Sequence, residues 1–92
     1  MELSDKVAIS ENVIAREVSG ETVLLDLDKG TYFGLNSVGG RIWTLVEEEP
    51  RTLAEVRDAL RSEFDVSEED VQRDVLDLAS QLQEHGLLRK AD

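Results

Sequence analysis

Cysteine is absent from the 92 residues. That removes disulfides, thiolate metal sites and a cysteine nucleophile together. A secreted domain of this size usually needs such staples, so the absence points to a reducing cytoplasm. Histidine occurs once, at His85, and a lone imidazole in the last turn of a helix makes a poor catalytic base. No apolar run approaches the roughly 20 residues of a membrane span. The opening MELSDKVAISENVIAREV has neither the basic start nor the apolar stretch of a signal peptide. Basic residues are scarce as well: 10 Lys and Arg face 21 Asp and Glu, for a net charge of −11. Nucleic-acid binding rests on neutralising phosphates with Lys and Arg, so this surface opposes it and attracts a basic partner instead. The expectation is one soluble, cytoplasmic domain over 1–92 that binds neither nucleic acid nor membrane and holds no cofactor.

What is present falls into two parts. The first third reads as sheet, with turn signals at Ser19-Gly20 and at Asp28-Lys29-Gly30. Between them Val23, Leu25 and Leu27 recur at period two. Short connections favour an antiparallel meander of three strands, about Asn12–Val18, Glu21–Asp28 and Thr31–Asn36. The middle strand is then central, and the third keeps one unpaired edge.

The remainder reads as three helices. The first runs from Ser37 to about Glu48, capped by Asn36 or Ser37 and followed by Pro50. The second starts after Thr52, which forms a capping box with Glu55 and turns Leu53, Val56, Leu60 and Phe64 inward. The third opens at Ser67-Glu68-Glu69-Asp70 and closes at His85-Gly86, with Gly86 placed for a left-handed cap. The predicted fold is α+β: a three-stranded antiparallel sheet followed by three helices, winged-helix-like in outline. A winged helix that bound DNA would send its last helix into the major groove. Here that helix carries Glu68, Glu69, Asp70, Asp74, Asp77 and Glu84 against Arg73, so a winged-helix transcription factor is the weaker alternative.

Catalytic machinery has no foothold in this pattern. Asp26-Leu27-Asp28-Lys29-Gly30 faintly echoes a calcium loop, but Lys29 stands at an acidic position and no bidentate Glu follows. The carboxylates sit at exposed helical positions, and no phosphate loop, nucleophile motif or metal-ligand spacing occurs. The chain is expected not to be an enzyme.

Two surface features are left once the core is assigned: the free edge of TYFGLN, and one flank of the third helix. The core stripe of that helix reads as Val71, Val75, Leu78 and Leu82. Advancing 100° per residue puts Leu76 about 120° from the middle of the stripe, with Gln72, Ala79 and Gln83 on the same flank.

The run VLLDLDKGTYFGLNSVGGRIW, followed by helices ending in LQEHGLL, resembles the PqqD-like proteins, also called RiPP recognition elements. The resemblance extends from about Val13 to Leu88 and is most specific at Y-F-x-L-N-x-x-G-x-x-I-W, Tyr32 to Trp43. Gly40 departs from the pattern, which more often carries Ala or another helix former there. The resemblance implies a domain that binds the leader segment of a ribosomally made precursor peptide and catalyses nothing itself. The leader would add as a strand to the edge of the third strand and lie against the third helix. Free-standing domains of this kind are similar to the leader-recognition proteins of lasso-peptide pathways. Their partners would be a leader peptidase and a macrolactam-forming cyclase. The alternative within the family is a PqqD-type chaperone that presents its precursor to a radical SAM enzyme.

The binding residues expected on that basis are Thr31, Tyr32, Phe33 and Gly34 on the strand, and Gln72, Val75, Leu76, Ala79 and Gln83 on the third helix. Phe33 and Leu35 are expected to face the helices, with Tyr32 and Gly34 on the other side.

Overall fold

Ser19 and Gly20 both turn left-handed, with φ of 52° and 83°. Two successive positive φ values build the mirror-image turn that matches the twist of antiparallel strands. The chain therefore folds back tightly, joining β2 (Val13–Val18) to β3 (Glu21–Asp26). The next reversal is built around the Asp26 carboxylate. It is 5% exposed and accepts hydrogen bonds from the backbone N–H groups of Asp28 and Lys29 at 3.0 and 3.2 Å. Gly30, at φ 69°, completes the turn into β4 (Thr31–Leu35). These constraints end β3 at Asp26 rather than Asp28, and the φ of 62° at Asn12 keeps that residue out of β2.

The computed structural model describes residues 1–91. Its principal sheet has the order β2-β3-β4, antiparallel throughout, with β4 at an edge. The register sets Ala15, Leu24 and Phe33 in one row and Ile14, Leu25 and Tyr32 in the next. Period two then separates the faces. Leu24 and Leu35 are buried and Phe33 is half-buried on the inner face, whereas Tyr32 stands exposed on the outer one.

The three helices start and stop on identifiable caps. Asn36 Oδ1 accepts from Gly39 N at 2.8 Å and opens α1 (Ser37–Glu48). Thr52 and Glu55 form the reciprocal capping box of α2 (Leu53–Glu63). Ser67 Oγ accepts from Asp70 N at 3.2 Å at the start of α3 (Glu68–Glu84). At its end Gly86, φ 75°, supports a full Schellman closure, with Gly86 N donating to Gln83 O and Leu87 N to Leu82 O.

A second sheet was not foreseen. β1 (Lys6–Ile9) lies between β5 (Arg51–Thr52) and β6 (Leu88–Lys90), antiparallel to both. Val7 and Ala8 are consecutive and both buried, so β1 shows no alternation to read. This sheet ties the start of α2 and the exit from α3 to the N-terminal segment.

Sixteen buried apolar residues from both sheets and all three helices form one cluster, centred on Leu24, Leu53, Val56, Leu60 and Val75. Trp43, 2% exposed, belongs to it although its indole N–H finds no acceptor among the described residues. An unmade bond of that kind costs about 1–3 kcal/mol, less than the roughly 4–6 kcal/mol that burying an indole contributes.

The glycine pair in α1 is explained by contact. A Cβ at Gly40 would lie 2.6 Å from Thr22 Oγ1. One at Gly39 would lie 3.3 Å from Leu35 on β4 and from Leu78 on α3. A side chain at Gly40 would force Thr22 or the helix to shift, and one at Gly39 would press on Leu35 and Leu78, so α1 crosses close to the sheet at this pair.

Candidate functional site

β4 has a partner on one side only. Its other edge presents the N–H and C=O groups of alternate residues unpaired, a template for another strand. Neither Lys nor Pro interrupts Thr31–Leu35, so none of the usual protection of an edge is in place.

The free edge borders a groove rather than open solvent. Toward its C-terminal end, Gly34, Leu35 and Asn36 face Asp74, Asp77, Leu78 and Gln81 of α3 across a hollow of about 490 Å³. Val38, Gly39 and Ile42 of α1 close that hollow below. Toward the N-terminal end a second hollow of about 330 Å³ lies between Thr31 and Tyr32 and the Glu84–Leu87 exit of α3. β4 and α3 therefore run antiparallel along the groove.

Phe33 lines both hollows. Its ring meets that of His85 with centroids 5.2 Å apart and planes at 53°, an edge-tilted contact that holds the divider in place. Lys29 Nζ donates to the His85 carbonyl oxygen at 3.3 Å. A lysine thus supplies a cation at the negative end of α3, beside His85.

The strand residues singled out in the sequence gather here. Thr31, Tyr32, Phe33 and Gly34 all border one hollow or the other. A Cβ at Gly34 would meet nothing within 4 Å. The fold leaves that position open and does not require a glycine there.

The helix residues singled out do not join them. Val75 and Ala79 are 0% and 1% exposed, inside the core. Gln72 Oε1 accepts from Arg57 of α2 at 3.3 Å. Leu76 is half-buried against the core, Gln83 is exposed, and neither lines the groove. The face of α3 that meets the groove is the opposite flank: Asp74, Asp77, Leu78 and Gln81.

One residue accounts for the difference. Leu78 was counted in the core stripe, yet the buried set is Val71, Val75, Ala79 and Leu82. Exchanging Leu78 for Ala79 turns the stripe by roughly 25° and moves Leu78 to the groove floor. A signal for this was available in Gly39, the bare spot on α1 over which Leu78 packs.

Charge along the groove is uneven. Asp74 and Asp77 stand at one end, and Lys29, Glu84 and His85 at the other. No helix of the described residues is long and apolar enough to cross a membrane.

The same fold recurs in known proteins. The PqqD family, described as coenzyme PQQ synthesis protein D, matches residues 21–88, from the first residue of β3 into β6. Among solved structures, a TbiB1 chain in complex with the TbiA(beta) leader peptide is 42% identical, with a TM-score of 0.82. That match covers 92% of this chain and 99% of the other. A lasso peptide synthetase B1 complexed with the leader peptide is 26% identical, with a TM-score of 0.78 over 90% of this chain and 96% of the other. No curated protein matches.

Proposed function

The chain belongs to the PqqD family, and on that premise we propose that it recognises the leader of a ribosomally made precursor peptide in lasso-peptide biosynthesis. The observation that carries the reading is the unpaired edge of β4 bordering a groove against α3. The likeness to two chains solved as leader-peptide complexes supports it, and the description of one of them as a lasso peptide synthetase B1 favours that pathway over PqqD-type presentation to a radical SAM enzyme.

The mechanism follows from strand physics. An extended leader segment pairs with β4 from Thr31 to Asn36, about 20 Å of chain at the rise of a strand. Backbone hydrogen bonds along that edge give affinity without reading sequence. Selection comes from alternate side chains that point into the groove. One enters the hollow floored by Leu35, Val38, Ile42 and Leu78, and another lies across Phe33 toward Thr31 and Leu87. Side chains between them emerge on the outer face beside Tyr32 and Gly34.

The protein catalyses nothing in this scheme. It holds the leader extended so that the rest of the precursor reaches the leader peptidase and the macrolactam cyclase. Hydrogen exchange tests the geometry: an added leader should protect backbone amides in Thr31–Leu35 while β2, remote from the groove, keeps its rates. Protection spread evenly over the chain, or confined to β1 and β6, would contradict strand addition to β4.

A further inference from the structure

The deeper hollow is apolar below and anionic above. Leu35, Val38, Ile42 and Leu78 make its floor, while Asp74 and Asp77, one helical turn apart, stand at its mouth. Two acids of α3's first turn are matched: Glu68 faces Arg57 and Arg61 at 3.9 and 3.7 Å, and Asp70 pairs with Arg73 at 3.0 Å. Asp74 and Asp77 have neither an ion pair nor a side-chain hydrogen bond among the described residues, and no Lys or Arg lines that hollow. Like charges one turn apart repel each other, and no ion pair among the described residues ties down either carboxylate.

Such a space suits a side chain that is apolar along its stem and cationic at its tip. The far end of the groove differs, because Lys29 stands there beside Glu84. Resting on the leader-binding reading above, we propose that Asp74 and Asp77 select a leader strand carrying Lys or Arg on its helix-facing side, level with Gly34 to Asn36.

This contact would also set register. Backbone pairing along β4 is nearly indifferent to a shift of the added strand, but a slip of one residue turns every side chain to the opposite face. A cation seated between two carboxylates and an apolar floor fits only one alignment, and the misaligned strand leaves it on the outer face.

The test uses a fluorescein-labelled synthetic peptide spanning the leader of the precursor encoded beside this chain's gene. Each Lys or Arg in it is replaced by Gln in turn, and every peptide is titrated against the natural chain and Asp74→Asn/Asp77→Asn. One Gln replacement should weaken binding to the natural chain roughly tenfold, the size expected for a partly desolvated charge contact. The Asn protein should bind the original leader that much more weakly and show no further loss with that same Gln peptide. Its affinity should also respond less to salt. Both substitutions are on exposed positions and relieve repulsion, so the melting temperature should not fall, and it is measured alongside. Equal binding of the original leader by both proteins would overturn the proposal and leave leader recognition standing. A tightly bound leader with no Lys or Arg would do the same. No binding by the natural chain would overturn both.

Discussion

Replacing Gly40 with alanine sets two effects of similar size against each other. In an open helix the added methyl stabilises by about 1 kcal/mol. Here it would lie 2.6 Å from Thr22 Oγ1 and 3.4 Å from Thr22 Cβ. Either α1 lifts from β3 or Thr22 leaves its rotamer, and overpacking of this kind costs about 1–3 kcal/mol. The net expectation for Gly40→Ala is a loss of about 0–2 kcal/mol. Thr22→Ala removes the offending oxygen, so in that background Gly40→Ala should stabilise. The coupling between the two substitutions should reach about 1–3 kcal/mol. Urea denaturation of the four proteins measures it, followed by fluorescence of Trp43, the only tryptophan. Thr22 pairs with Leu35 in the sheet, so a lifted helix also loosens the contact of Gly39 with Leu35 and Leu78. Leader affinity should fall with Gly40→Ala and recover in the double variant. Additive stabilities, with Gly40→Ala stabilising in both backgrounds, would refute the close crossing of α1 over β3.

Other perturbations separate the groove from the core. Leu78→Asp and Leu76→Asp should each lower stability by about 1–3 kcal/mol, because both side chains are half-buried against the core, but only Leu78→Asp should also weaken leader binding by the folded protein, about tenfold or more. Anisotropy and thermal melts on the same samples distinguish them. Asp26→Ala should cost about 1–3 kcal/mol, because two turn N–H groups lose their acceptor, and Asp26→Asn should cost less; denaturant titration measures both. Acid should weaken the fold through Glu55 and Glu63. Hydrogen bonds from Thr52 hold the Glu55 carboxyl below its ordinary pKa, and the Arg41 guanidinium does the same for Glu63. Their stabilisation is complete above the ordinary carboxylate pKa and is lost as pH falls through the lowered folded values. Glu63→Gln should therefore flatten the acid limb of a melting-temperature profile; an unchanged limb would contradict this.

Local chemistry made most of the architecture readable. Ser19-Gly20, Asn36, Thr52 with Glu55, Ser67 and Gly86 each occupy the turn or cap that their side chains or backbone freedom imply, and the principal sheet and three helices follow from them. The second sheet was hidden because its strands have two to four residues, too short for a period to show. On β4 the alternation sorted Phe33 and Leu35 from Tyr32 correctly, since a strand has only two faces. On α3 the same reasoning put the surface flank on the far side. A helix is continuous around its axis, and one exchange between Leu78 and Ala79 decides which side is free. That exchange depends on the depth of the crossing at Gly39, a tertiary fact.

The central claim is leader recognition, and one titration meets it most directly. A labelled synthetic leader from the precursor encoded beside this gene is titrated with the chain, with a scrambled peptide of the same composition as control. The account predicts saturable anisotropy at micromolar concentration or below for the leader alone. Equal binding of both peptides, or of neither, would contradict it.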